Sequence, residues 1–342
     1  MTPNPNLPTT SAVAVRPPHL TIPGLAVDDL WLAPDGAVIA VLTGVDSAGA
    51  SSLLFLDSTT GAERGAIALG ADDVPVLAGD WTAVACYDRR TGEISVRRAV
   101  TGEVTARLSP HPEGRLHALA IAHRKDLAAS IGADGAVAIW RPGDGAVEAV
   151  FTPVSMDLEF CALTFSPHGR VLAVRTAADT LELWTTAPPR LFDSLPETGP
   201  PVFSADGRWL AVAGAAITLY DLRDATGAGT VLPGQNPLAF TPDGARLVAA
   251  APDGSTAIWQ TDPPQPFAHL RGSNARLSPD GRVLALVGTT SELVVAEPTG
   301  RTLARLTGVR GEVEALTVGT GGAVVVAACS DAAIRVWRSA TP

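Results

Sequence analysis

A five-residue turn motif recurs eight times along this chain, and its spacing restricts the fold more than any other feature. Leu32-Ala-Pro-Asp-Gly36, Phe165-Ser-Pro-His-Gly169, Phe203-Ser-Ala-Asp-Gly207, Phe240-Thr-Pro-Asp-Gly244 and Leu277-Ser-Pro-Asp-Gly281 are the clear copies. Degraded copies end at Asp80, Asp126 and Gly322, so the copies are about 37–46 residues apart. A period of that size marks an array of supersecondary units in which each unit buries its apolar face against the next.

Each copy sits in the same local pattern. An apolar run such as Cys161-Ala-Leu-Thr-Phe165 leads into the turn, and a second, such as Arg170-Val-Leu-Ala-Val-Arg175, leaves it. A third run ends in a large aromatic residue: Trp140, Trp184, Tyr220, Trp259 or Trp337. A weaker fourth run closes most units, as in Leu303-Ala-Arg-Leu-Thr307. Short Val-, Leu-, Ile- and Ala-rich runs bounded by Gly, Pro, Asp and Ser read as strands. Apolar residues at helical spacing are not sustained, so almost no helix is expected. In the turn, proline presets φ, aspartate bonds the local backbone and glycine accepts positive φ. The expectation is an all-β chain forming a single β-propeller, with four antiparallel strands per blade. Eight turns argue for eight blades; units two and three are the least regular, which leaves seven as the alternative.

The eighth unit has only three runs before the chain ends. His19-Leu-Thr-Ile-Pro-Gly24 is similar to the outer run Arg305-Leu-Thr-Gly-Val-Arg310, so the amino-terminal segment is expected to complete the last blade. The domain is then residues 18–340. Residues 1–17, rich in Pro, Thr and Asn, read as a flexible leader without the basic start or apolar core of a signal peptide.

The pattern resembles the WD40-repeat β-propellers. The third unit carries the resemblance best, with His111, Ser130, Asp134 and Trp140 at the family's places. The resemblance implies a hydrogen-bonded structural relay in which His111 bonds Asp134 while Ser130 and Trp140 extend it. Units six and eight keep Asp253 with Trp259 and Asp331 with Trp337, but have Ala249 and Ala327 where the hydroxyl belongs. Leu56, Arg97 and Ala296 take the aromatic place in units one, two and seven. The Gly-His and Trp-Asp dipeptides are missing.

Composition narrows the partners. The formal net charge is −10, which disfavours nucleic acid and anionic membrane, whose binding is driven by Lys and Arg. No apolar run approaches the ~20 residues of a membrane span. Cys86, Cys161 and Cys329 lie in or beside apolar runs and read as buried small hydrophobes. A cytoplasmic protein is expected. Lys125 is the sole lysine against two dozen arginines, a skew typical of a GC-rich bacterial genome.

The search for chemistry finds no catalytic, cofactor-binding or metal-binding constellation. His117 and His123 could flank one strand, and a structural or solvated role outweighs metal ligation for both. The turn aspartates Asp35, Asp206, Asp243 and Asp280 repeat because the turn repeats. One feature is less easily explained by folding, although ordinary solvated charge at strand ends is an alternative reading of it. Asp28 and Asp29, Asp72 and Asp73, Asp157 and Glu159, and Glu312 and Glu314 fall near the start of first strands in units one, two, four and eight. In propellers resembling WD40 this region opens onto the face where partners dock. The expected function is therefore a non-catalytic scaffold, a monomeric propeller within a multiprotein complex of bacterial signalling or defence. Its expected partner is a protein or peptide, basic in character and received by this acidic rim. The alternative is a propeller hydrolase or lactonase with a site at the central channel.

Overall fold

The computed structural model describes residues 13–45, 49–122, 126–154, 161–176, 180–196, 199–223, 228–290 and 292–339. They form eight antiparallel sheets arranged as the blades of one propeller. Blades one to six are consecutive four-stranded meanders spanning 27–69, 73–108, 116–151, 162–195, 201–232 and 236–270. Blade seven covers 273–306 and blade eight 313–338. The first strand of each blade lies innermost, and the first strands of neighbouring blades pack together around the channel. Among the described residues a single 3-10 turn, Thr320–Gly322, interrupts the β structure.

The repeated turn works as its residues require. Asp35, Asp206 and Asp243 each accept the backbone N–H two residues on, at 2.9–3.0 Å. The Ser204, Thr241 and Ser278 hydroxyls donate to the turn aspartate at 2.6 Å and accept the N–H five residues on. The closing glycine holds φ between 60° and 72° at Gly36, Gly169, Gly207, Gly244, Gly281 and Gly322. That region is open to glycine and strained for other L-residues. We call the face carrying these turns the lower face; first strands begin on the upper face.

Eight apolar clusters hold the blades together, one in each seam. All seven tryptophans take part. Trp140 fills the seam between blades two and three, Trp184 three and four, Trp259 five and six, Trp337 seven and eight. Trp209 joins the seam of blades five and six, while Trp31 and Trp81 pack into that of blades one and two. Tyr220 serves blades four and five. Cys86 and Cys329 are buried and Cys161 half-buried, all as free thiols.

The ring closes through the amino-terminal segment. Leu20–Pro23 pairs antiparallel with Ala333–Arg338, register Leu20 to Val336 and Ile22 to Ile334, and becomes the outer strand of blade eight. Leu20 and Ile22 pack into the seam of blades eight and one. The leader expected over residues 1–17 needs correction in its last part. Ala14–Arg16 is a strand, parallel to Thr302–Leu306, and gives blade seven a fifth strand. Thr307 N–H donates to the Arg16 carbonyl at 2.8 Å and Ala14 packs on the seam cluster, so backbone pairing and burial order a segment whose composition reads as coil. Residues 1–12 lie outside the described residues.

Outer strands are exposed edges, except in blade seven where Ala14–Arg16 covers the fourth strand, and such edges invite pairing with other chains. In blades one, two, three, four, six and seven the fourth strand carries a register shift at Arg64, Thr105, Glu148, Phe192, Phe267 and Leu303 respectively. Bulges of this kind twist an edge and interrupt its ladder. The fourth strand of blade five is short, Thr230–Leu232.

The two pairings predict different truncation outcomes. A chain starting at Pro18 loses only the added strand of blade seven and is expected to unfold cooperatively with a melting temperature lowered by a few degrees. A chain starting at Leu25 loses the outer strand of blade eight together with Leu20 and Ile22, and is expected to lose cooperative melting. Calorimetry of the two truncations checks both.

Candidate functional site

The upper mouth of the channel is built from the beginnings of the first strands. In blade one, Val27 pairs with Thr43 and Asp29 with Leu42, so Asp28 is an extra residue without a cross-strand partner. The same shift leaves His117 extra in blade three, Leu238 in blade six and Glu314 in blade eight. A bulge bends its strand and re-aims a side chain out of the alternation. Asp28, Asp29, His117 and Glu314 are all exposed here.

Glu312 and Glu314, Asp28 and Asp29, and Asp72 and Asp73 stand at the starts of the first strands of blades eight, one and two, which are consecutive around the ring. Their local partners differ. Asp29 accepts its neighbour Leu30 N–H at 2.8 Å, and Asp73 the Gly70 N–H at 2.8 Å. Asp72 lies 3.7 Å from the Arg90 guanidinium, both well exposed, a weak and salt-screened pairing. Asp28, Glu312 and Glu314 have no ion-pair partner among the described residues. Asp157 and Glu159 lie outside the described residues. His117, on the same mouth in blade three, belongs with this set; its bulge has no sequence signature that periodicity could expose.

The relay of blade three is present in part. His111 Nδ1 lies 3.1 Å from Asp134 Oδ1, and His111 Nε2 lies 2.9 Å from Ser130 Oγ. Gly132 makes room for it, since a Cβ there would sit 2.5 Å from the imidazole and 2.8 Å from Asp134 Oδ1. Trp140 does not extend the chain: its indole N–H is buried without a hydrogen-bond partner among the described residues. Register explains the correction. Ser130 pairs with Ala138 and Trp140 with Ala128, two residues further along the sheet. The nucleophile–base–acid order of Ser130, His111 and Asp134 has no access to substrate, because Ser130 is 0% and His111 3% exposed. Burial holds the His111 imidazole below its usual range although the Asp134 charge opposes this.

Blades six and eight satisfy the same turn aspartate differently. Asp253 accepts the Ser255 N–H at 3.0 Å and its hydroxyl, and Ser255 Oγ reaches His269 Nε2 at 2.5 Å. These bonds hold the Asp253 carboxyl below the usual range. Asp331 takes both guanidinium nitrogens of the buried Arg335, which likewise lowers its pKa.

Lower in the channel, the wall contributed by blades four to seven is apolar. Phe165, Phe203, Phe240 and Leu277 line a cavity of about 500 Å³ together with Pro167 and Pro242. Among the described residues no group of three or more His, Cys, Asp or Glu is placed to hold a metal ion, and no helix is long and apolar enough to cross a membrane.

Neither protein-family models nor curated proteins match this chain. Solved structures match its fold widely, with 1778 chains in all. One is the crystal structure of the computationally designed Ika8 protein, at 16% identity and a TM-score of 0.70, covering 96% of this chain and 99% of that one. At that identity the likeness establishes the eight-bladed fold alone.

Two measurements test the relay. Ser130→Ala leaves the buried His111 Nε2 unpaired and is expected to cost about 1–3 kcal/mol in urea unfolding, whereas Trp140→Phe removes no hydrogen bond. Because the folded His111 pKa lies below its unfolded value of 6.5, its contribution is full above that pH and declines as the pH falls toward the folded value. Urea titrations between pH 7.5 and 5 are expected to show that decline, and His111→Gln to flatten it.

Proposed function

We propose that this chain is a non-catalytic, WD40-like scaffold that assembles a protein complex by docking a basic segment of a partner on its upper face. The observation that carries the reading is the acidic residues at the starts of the first strands of blades eight, one and two, with Asp28 and Glu314 standing as extra residues at bulges. A strand with regular alternation would have kept these positions in the seam pattern. A rigid ring with side chains offered at one mouth suits docking with little backbone change. The net charge of −10 supports attraction of a basic partner, faster at low salt. The apolar wall on blades four to seven supports binding rather than acid–base chemistry in the channel. The proposal includes a cytoplasmic bacterial setting in signalling or defence, with the monomeric propeller as the docking unit.

The test is a charge-reversal set, Asp28→Lys, Asp29→Lys, Asp72→Lys and Asp73→Lys, used as bait in pull-downs from the native host. Loss of partners that wild-type protein retains, together with weaker wild-type capture at higher salt, is the expected result. Unchanged capture by the reversed protein removes these acidic residues from the docking surface.

A further inference from the structure

Two outer strands of this propeller are near copies of each other, and only one of them is covered. Thr302–Leu306 of blade seven and Val104–Leu108 of blade two both end in Ala-Arg-Leu. Each carries its register shift at the second residue, Leu303 and Thr105. In each the arginine donates to the glutamate just before the third strand, Arg305 to Glu292 and Arg107 to Glu93. In both, the alanine and leucine face the seam with the following blade. The strand Ala14–Arg16 lies parallel on the blade-seven copy, and the Thr307 N–H donates to the Arg16 carbonyl at 2.8 Å. There Ala304 and Leu306 are buried, whereas Ala106 and Leu108 on the uncovered copy are half-buried. Ser109 stands where Thr307 does, and its N–H has no hydrogen-bond partner among the described residues.

The seams beside these two edges differ in the same sense. Between blades seven and eight a pocket of about 160 Å³ is lined by Val295, Leu303 and Trp337, and Arg16 of the added strand is one of its walls. Between blades two and three a cleft of about 570 Å³ opens at the matching place, with Val96 and Thr105 where the other has Val295 and Leu303. Ala83, which opens the second strand where other blades have Val, Leu, Trp or Arg, also lines it. The Trp337 indole N–H donates to the Thr307 carbonyl at 3.0 Å and so ties blade eight to the covered edge. Trp140, at the same place in blade three, makes no such bond among the described residues. The seam of blades two and three thus lacks both the added strand and the bond that joins its counterpart.

The chain cannot cover this second edge itself. Leu20–Pro23 follows close behind Arg16 and is fixed on blade eight, two blades short of it. A second copy would have to give up the same contact at its own blade seven. We propose that the edge and cleft of blade two dock an extended segment of a partner protein, with a small residue two places before an arginine, as Ala14 stands to Arg16. The segment lies parallel to Val104–Leu108, its small residue opposite Ala106 and its arginine opposite Leu108, in the register seen on blade seven. The Ser109 N–H donates to the carbonyl of that arginine. The side chain enters the cleft, whose lining includes Asp80 and Asp126, while Arg98 in the same lining is paired with Glu103 at 3.0 Å. Backbone pairing supplies affinity in this mode, and alternate side chains supply specificity. The surface is on the rim and is independent of docking at the upper mouth.

The probe is the peptide Val-Ala-Val-Arg-Pro-Pro, the sequence of residues 13–18, labelled for fluorescence anisotropy and titrated onto the full chain. Saturable binding is expected, with hydrogen exchange slowed over residues 104–109. The peptide with Glu in place of Arg is expected to bind at least about tenfold more weakly. Ser109→Pro removes the N–H offered to the segment and no bond within the blade; it is expected to melt with wild type and to bind at least about tenfold more weakly. Absence of saturable binding to wild type, protection confined to residues other than 104–109, equal binding of the Glu peptide, or undiminished binding by Ser109→Pro would each overturn the proposal.

Discussion

Burial of apolar side chains in the seams between neighbouring blades is the interaction on which everything else here rests. A four-stranded sheet of this size is twisted, thin and apolar on both faces, and has nothing to bury those faces against except another copy of itself. Fully burying one such side chain contributes roughly 1.5–3 kcal/mol, and every seam holds several. The arrangement has no natural end, so the ring must close or leave one blade with a bare face and an incomplete sheet. Leu20–Pro23 answers both needs, supplying the missing strand of blade eight and two apolar side chains to its seam with blade one. Ala14–Arg16 then ties the same segment to blade seven.

Within that frame the seams tolerate very different contents. The aromatic place of the third strand is Trp in four blades, Tyr in one, and Leu56, Arg97 or Ala296 in the others. The turn aspartate is held by His111 in blade three, by Ser255 in blade six and by Arg335 in blade eight. What the solutions share is a partner for the turn carboxylate, which is sheltered at Asp134, partly so at Asp331 and exposed at Asp253. Where the filling falls short, as at Ala83, the shortfall appears as a cleft rather than as collapse of the ring, because the neighbouring strands are held by their own ladders. The repeat therefore departs from itself at two kinds of place: bulges that add a residue at the upper mouth, and a seam left open on the lower face.

The lower turns were the legible part of the sequence. Ser204-Ala-Asp-Gly207 and Thr241-Pro-Asp-Gly244 announce their own hydrogen bonds, because hydroxyl, carboxylate and backbone donors lie within five residues of each other. The strand Leu20–Pro23 was also readable, since it resembles the outer run it replaces. Ala14–Arg16 was not: three residues added in parallel to an edge show no period and no turn of their own. The same holds for the bulges. Asp28 and Glu314 stand out as charges near strand starts, but that they are extra residues follows from the register of two strands compared, which one strand cannot display. His117 was visible as a residue and invisible as part of the mouth for this reason.

By itself the sequence determined the repeat, the turns, the all-β class and the strand that completes the last blade, all of which depend on local chemistry or on likeness between segments of one chain; between seven and eight blades the fold decided. Tertiary structure alone decided which residues are extra at the bulges, that Trp140 stands outside the hydrogen bonds of His111 and Ser130, and that a cleft opens beside Ala83. Those outcomes depend on cross-strand register and on the fit of one blade against the next. Both are distances between residues far apart in the chain, and no local pattern encodes them.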